Sequence, residues 1–131
     1  MSDLIFQSLR IILNFDENYF QIVLLSIFVS VTAVIIASII SITISSLISL
    51  NSFKLKNSLM IVINSLLALP PVVVGLILYI LFSTNGYFGI YNLLYTVNIM
   101  IIAQIILVTP LLISLCKESI DIVNIKLNEY L

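Results

Sequence analysis

Histidine and tryptophan are absent from this 131-residue sequence, cysteine occurs once, and charged residues make up only 8%. A soluble domain normally carries about 25% charged residues, so this chain lies far outside the globular class. With no histidine and Cys116 as the single cysteine, an intrachain disulfide, a thiolate–imidazole pair and the common Cys/His zinc patterns are all excluded. The formal net charge is −1, which leaves no basic footprint for nucleic acid. No metal site, catalytic group or cofactor is expected.

What is present is apolar: 62% of the residues, with a mean hydropathy of +1.30. The few charges are segregated. None falls from Asn18 to Phe53, and none from Asn57 to Cys116. A helix needs roughly 20 apolar residues to cross the hydrocarbon core. The first run therefore holds one generous span and the second holds two. The expected fold class is an all-α integral membrane protein with three spans, at about 19–50, 58–82 and 97–116. Residues 1–20 carry one base, Arg10, against three acids, Asp3, Asp16 and Glu17. That is the wrong flank for a signal peptide, and the first span is too long for an h-region, so its retention is expected.

Residues 4–13 are apolar but interrupted by Gln7, Ser8 and Arg10. Too short to span, this stretch is expected as an interfacial helix, followed by a polar break at Asn14–Asn18. Ser83–Gly89 is the expected turn, since Asn85-Gly86 and Gly89 tolerate positive φ. Tyr87, Phe88, Tyr91 and Tyr95 form an aromatic cluster suited to the lipid headgroups. Charges resume at Lys117, marking 117–131 as a cytoplasmic tail. Four of the five cations (Lys54, Lys56, Lys117, Lys126) share one side if the N-terminus is outside. The positive-inside rule then places 1–18 outside and the 51–57 loop and C-terminus in the cytoplasm.

The first span repeats a small residue about every fourth position: Ser26, Ser30, Ala33, Ala37, Ser41, Ser45 and Ser49. Such a face either packs closely on another helix or lines a polar path. Pro70-Pro71 removes two backbone donors and crowds the carbonyls of Leu66 and Leu67. In lipid those carbonyls need a neighbouring helix, Ser65 or water, so the double proline reads as a static kink or as a hinge beside a permeation path. Gly75 permits close backbone approach. Asn64, Gln104 and Thr109-Pro110 are the other polar or helix-breaking elements at depth, and an amide there serves as packing glue or as a ligand. No Asp, Glu, Lys, Arg or His lies inside any span. Ion-coupled carriers usually place one there, so the energy source is expected outside the membrane.

These features occur in a familiar order. A Ser/Ala-rich span ends in Phe53-Lys-Leu-Lys56, then come Leu66-Leu-Ala-Leu-Pro-Pro-Val-Val-Val-Gly-Leu76 and Asn85-Gly-Tyr-Phe-Gly89, then Ile102-Ala-Gln104 and Val108-Thr-Pro-Leu111. The chain resembles the type I permease subunits of binding-protein-dependent ABC importers, most of all the tungstate permeases, with molybdate and sulfate permeases close behind. The resemblance implies alternating access in a five- or six-helix bundle of the cell (inner) membrane. It also implies three protein partners: an ATP-binding cassette ATPase that hydrolyses the ATP, an extracytoplasmic solute-binding protein, and a second permease copy in a homodimer. Ser65, Pro70, Pro71, Gly75 and Gln104 are the expected path residues. The family couples to its ATPase through a loop of pattern E-A-A-x3-G. Glu129 matches the leading glutamate, while Tyr130 and Leu131 stand where the alanines should be, so 19–116 is expected to be a partial transmembrane domain truncated before or within that loop. The rival readings are a small non-transporting membrane protein, such as an assembly factor or anchor, and a nonfunctional permease fragment.

Overall fold

Long charge-free runs leave the backbone no partner but itself, and helices follow. The computed structural model describes residues 1–14, 17–51 and 54–131; Asp16 of the expected polar break and Phe53 of the basic loop lie outside these. Among the described residues five α-helices occur in the order α1 (Ser2–Leu13), α2 (Glu17–Leu50), α3 (Lys56–Leu67), α4 (Pro71–Phe82) and α5 (Val97–Tyr130), with a 3-10 turn at Gly89–Tyr91 before α5.

α2 has 34 residues and therefore measures about 51 Å at 1.5 Å per residue. It is apolar all round, as a helix surrounded by lipid or protein must be. Its hydroxyls on the exposed side turn back on the helix itself: Thr32 donates to the Phe28 carbonyl (2.7 Å) and Thr43 to the Ile39 carbonyl (2.8 Å). One narrow face is buried, comprising Val29, Ala33, Ala37, Ser41, Ser45 and Ile48. This face meets α5, the main packing partner of α2; α3 and α4 also rest on α5. Ile48 of α2, Ile63 of α3 and Ile113 of α5 form the common core, with Ile44 and Met60 packed against it.

The expected span 58–82 is two helices rather than one. α3 and α4 meet at a bend of 95°, and each has 12 residues, about 18 Å, short of the roughly 30 Å of hydrocarbon. The cause is local. A residue before proline is pushed out of the helical region, and Pro70, preceding Pro71, is extended with φ −63° and ψ 140°. Pro71 then starts α4, where a missing N–H costs nothing. α3 closes with 3-10-type bonds, Ala68 N–H to Ser65 and Leu69 N–H to Leu66, both 3.2 Å. The Leu66 carbonyl, freed by Pro70, is thereby satisfied by Leu69 and not by Ser65, whose hydroxyl donates to Ile61 (2.8 Å). Two helices, α2 and α5, are individually long and apolar enough to cross a membrane, and the bent pair makes a third element of that apolar length.

The 83–96 segment folds back over the end of α4. The Phe88 N–H donates to the Leu81 carbonyl (2.9 Å), and the Phe82 and Phe88 rings stack at 5.4 Å. Its glycines are needed for a different reason from the one expected. Neither Gly86 nor Gly89 has positive φ; Asn92 and Tyr95 do. A Cβ on Gly86 would stand 2.3 Å from the Ile80 carbonyl oxygen, and one on Gly89 2.4 Å from that of Ser83. Close backbone approach, not turn handedness, demands them.

α5 contains the expected span 97–116 and extends past it. The helix does not stop with its apolar residues at Cys116 but continues to Tyr130, so the expected tail is helical. Pro110 sits inside it, buried. A proline here removes the bond to Ile106 and bends rather than ends a helix that is held by neighbours.

Candidate functional site

The small-residue ladder is the first place where sequence becomes geometry. Ser41 donates to the Thr109 carbonyl of α5 (3.1 Å), and Ser49 donates to the Asp121 carboxylate. Both numbers rise together, so α2 and α5 run parallel. Thr109 lies twelve residues after Val97, where α5 begins; twelve residues before Ser41 stands Val29, where burial of α2 begins. Ala33, Ala37, Ser41 and Ser45 are fully covered, whereas Ser26, before the buried face begins at Val29, and Ser30, one residue round the helix from Val29, are exposed. The Ser26 hydroxyl turns to Ile22 (2.9 Å).

Ser41 meets α5 at its proline. Thr109 bonds its own hydroxyl to the Ile105 carbonyl (2.6 Å) while its carbonyl receives Ser41. Beside this turn lies a hollow of about 290 Å³ between α2, α3 and α5, walled by Ile40, Ile63, Leu66, Ile105 and Pro110 among others. Its walls are apolar, and the Thr109 hydroxyl on it is already committed. The hollow offers shape and no donor for an anion.

The expected path residues are distributed as follows. Ser65 is exposed on α3, bonded to Ile61. Pro70 and Pro71 are exposed at the bend, and Gly75 is exposed on α4 with open space where a Cβ would be. Gln104 is half-buried on α5. No hydrogen bond joins Ser65 to Gln104 among the described residues. α3 buries Ile63 and α4 buries Val74 and Leu78, so most of the bent pair is uncovered. Glu129, expected at the head of a loop, is exposed in the last turn of α5.

The polar cluster that the sequence reading did not single out lies past the apolar stretch of α5. Asp121 accepts hydrogen bonds from Lys117, one turn earlier, and from Ser49 of α2. The bond from Lys117, then that from Ser49, holds the Asp121 carboxyl below its ordinary value. Burial opposes this, and the charges of Lys117 and Lys56 add to it. Side chains of α2 and α5 thus meet at one carboxylate, and the charge of Lys56 on α3 acts on it without contact. The signal was present, since Lys117 and Asp121 are four apart and Ser49 ends the ladder. Among the described residues no group of three His, Cys, Asp or Glu side chains gathers as a metal site would require.

Comparison with known proteins finds relatives by sequence. The "Tungstate uptake system permease protein TupB" of Peptoclostridium acidaminophilum is 40% identical over 108 residues, 82% of this chain and 47% of that protein. Its namesake from Campylobacter jejuni is 37% identical over 120 residues, 92% of this chain and 50% of that protein. A "Probable anion ABC transporter permease protein" of Haloferax volcanii is 32% identical over 101 residues, 77% of this chain and 44% of that protein. The chain spans about half the length of the curated relatives it matches. No family model matches it, and no solved structure does.

Proposed function

The chain belongs to the ABC transporter permeases of the tungstate type, and from that membership we propose that it forms part of the membrane path of an oxyanion importer. It is a multi-pass protein of the cell membrane. The observation that carries the reading is identity with two tungstate uptake permeases over most of this chain's length.

In this reading an extracytoplasmic solute-binding protein delivers tungstate, or the similar molybdate or sulfate, to the outer face. A separate ATPase subunit hydrolyses ATP and drives alternating access in a permease homodimer, and this chain catalyses no reaction of its own. The α3–α4 pair supplies the third crossing, the N-terminus lies outside, and residues 51–57 and the C-terminal end of α5 lie in the cytoplasm. Residues 1–18 form the outer segment, 19–116 the partial transmembrane domain, and 117–131 the cytoplasmic end that leads toward the ATPase through Glu129. Three features support this arrangement. Charge is absent from 57 to 116, which fits an energy source outside the membrane. The break at Pro70-Pro71 exposes irregular backbone, which lipid does not tolerate and a lined cavity does. Uncovered Ser65, Pro70, Pro71 and Gly75 leave the bent pair free to line a path completed by other helices, with the Gln104 amide as its polar contact.

The test is uptake of labelled tungstate in cells lacking their own permease, with the complete transporter expressed beside a tungstate-type ATPase and solute receptor. Gln104→Leu and Ser65→Ala are each expected to lower uptake and substrate-stimulated ATP hydrolysis several-fold. Unchanged rates in both variants would remove these residues from the path; absence of any oxyanion uptake by the parent would remove the function.

A further inference from the structure

α1 stands apart from the bundle. None of its residues is buried, and among the described residues the groove along Asp3, Phe6, Gln7, Leu9, Arg10 and Leu13 has no wall from any other helix. Yet its side chains are sorted. At 100° per residue, Asp3, Gln7, Arg10 and Asn14 fall within about 60° of one another. The remaining arc is apolar apart from Ser2 and Ser8, and the Ser8 hydroxyl is turned back onto the Leu4 carbonyl (2.8 Å). Seven large apolar side chains are therefore offered outward, from Ile11 at 42% exposure to Phe6 at 76%.

What lies beside that arc is fixed by the covalent chain. Leu13 ends α1 and Glu17 begins α2, so their Cα atoms lie within about 14 Å whatever route the chain takes. α2 carries no charge after Glu17, which places its start at the boundary between water and hydrocarbon. An amphipathic helix tethered at that depth finds lipid as its nearest apolar medium. We propose that α1 lies flat in the outer membrane interface, with Leu4, Ile5, Leu9 and Ile12 in the acyl boundary and Asp3, Gln7 and Arg10 toward water. The polar stripe carries one acid and one base, so the attraction is apolar and indifferent to anionic lipid, unlike that of basic amphipathic helices. The inference needs α2 to cross a membrane and does not depend on transport.

The test uses the whole chain in phosphatidylcholine vesicles, in a Cys116→Ser background, with an environment-sensitive fluorophore on Ile12→Cys or Gln7→Cys. Brominated acyl chains are expected to quench position 12 several-fold more than position 7, and aqueous iodide the reverse. A second pair, Ile5→Cys against Asp3→Cys, repeats the measurement if either variant folds poorly. Adding phosphatidylglycerol leaves the pattern unchanged. Iodide quenching of both faces would overturn the proposal by placing α1 in water. Shielding of position 12 from both quenchers would overturn it by placing protein over the arc, and a pattern dependent on phosphatidylglycerol would overturn the charge-neutral attraction.

Discussion

Asp121 joins α2 to α5 through Ser49 and Lys117, and its protonation has a definite sign. Its folded pKa lies below the ordinary carboxylate value of 3.8. Its contribution to stability is therefore full above that value and is lost as pH falls through the lower, folded one. Asp121→Asn keeps an acceptor for Ser49 but loses the ion pair with Lys117, a partly exposed contact worth less than about 1 kcal/mol. Thermal unfolding in detergent should show the variant slightly less stable at pH 7, with the gap closing on acidification below about 4; a gap that widens at low pH would contradict the assignment. Gly86 and Gly89 make a sharper case. An added methyl meets backbone, which cannot rotate away, so either Ala substitution is expected to cost about 1–3 kcal/mol, read as a fall in melting temperature. The need for small residues there was legible in Asn85-Gly86 and Gly89, but the reason was not. Positive φ is a property of one residue, whereas the clash with Ile80 and Ser83 exists only once the loop folds back.

At the level of elements, the α2–α5 seam and the α3–α4 corner behave differently under substitution. In the seam, Ser41→Ala removes one interhelical hydrogen bond, about 0.6 kcal/mol on average in a membrane. Ser41→Leu inserts a branched side chain where the exposure is 0% and should destabilise more than twice as much; equal effects of the two would mean that the helices are not in contact there. At the corner, Pro70→Ala with Pro71→Ala restores two amides and should fuse α3 and α4. Spin labels at Ser58 and Ile80, about 23 Å apart across a right angle, would move to about 33 Å along a straight helix. The ladder's four-residue period was readable directly because helix packing obeys it. The break was readable from Pro-Pro, but the 95° angle was not, since it follows from the ψ of 140° that Pro70 adopts as well as from its fixed φ. The extension of α5 was not read, because charge marks where lipid ends and not where a helix ends. The sequence holds no glycine or proline from Leu111 to Leu131, and that lack of a stop signal was the better guide.

For the whole molecule, the parallel seam sets an offset. α2 projects beyond the start of α5 on one side, and α5 projects past Ser49 on the other. With the cations weighing toward Lys54 and Lys117, the proposed orientation predicts that Tyr87→Cys, in a Cys116→Ser background, reacts with an impermeant thiol reagent on intact cells. Lys54→Cys should react only after permeabilisation. Reversal of the two would invert the topology and transfer α1 to the opposite leaflet. Assembly at this scale was least legible, because most of α3 and α4 remains uncovered, and what covers them is not encoded in the periodicity of either helix.

The right-angle corner also has an electrical consequence. It brings the carbonyl end of α3 against the amide end of α4, two opposite poles of about half an elementary charge each. Pro71 carries no N–H, and the amides of Val73 and Val74 donate to the Pro70 carbonyl at 3.0 and 3.4 Å. Of the four leading positions of α4, Val72 alone keeps an uncommitted amide. The corner largely neutralises itself, so it presents only a weak field to any charge nearby.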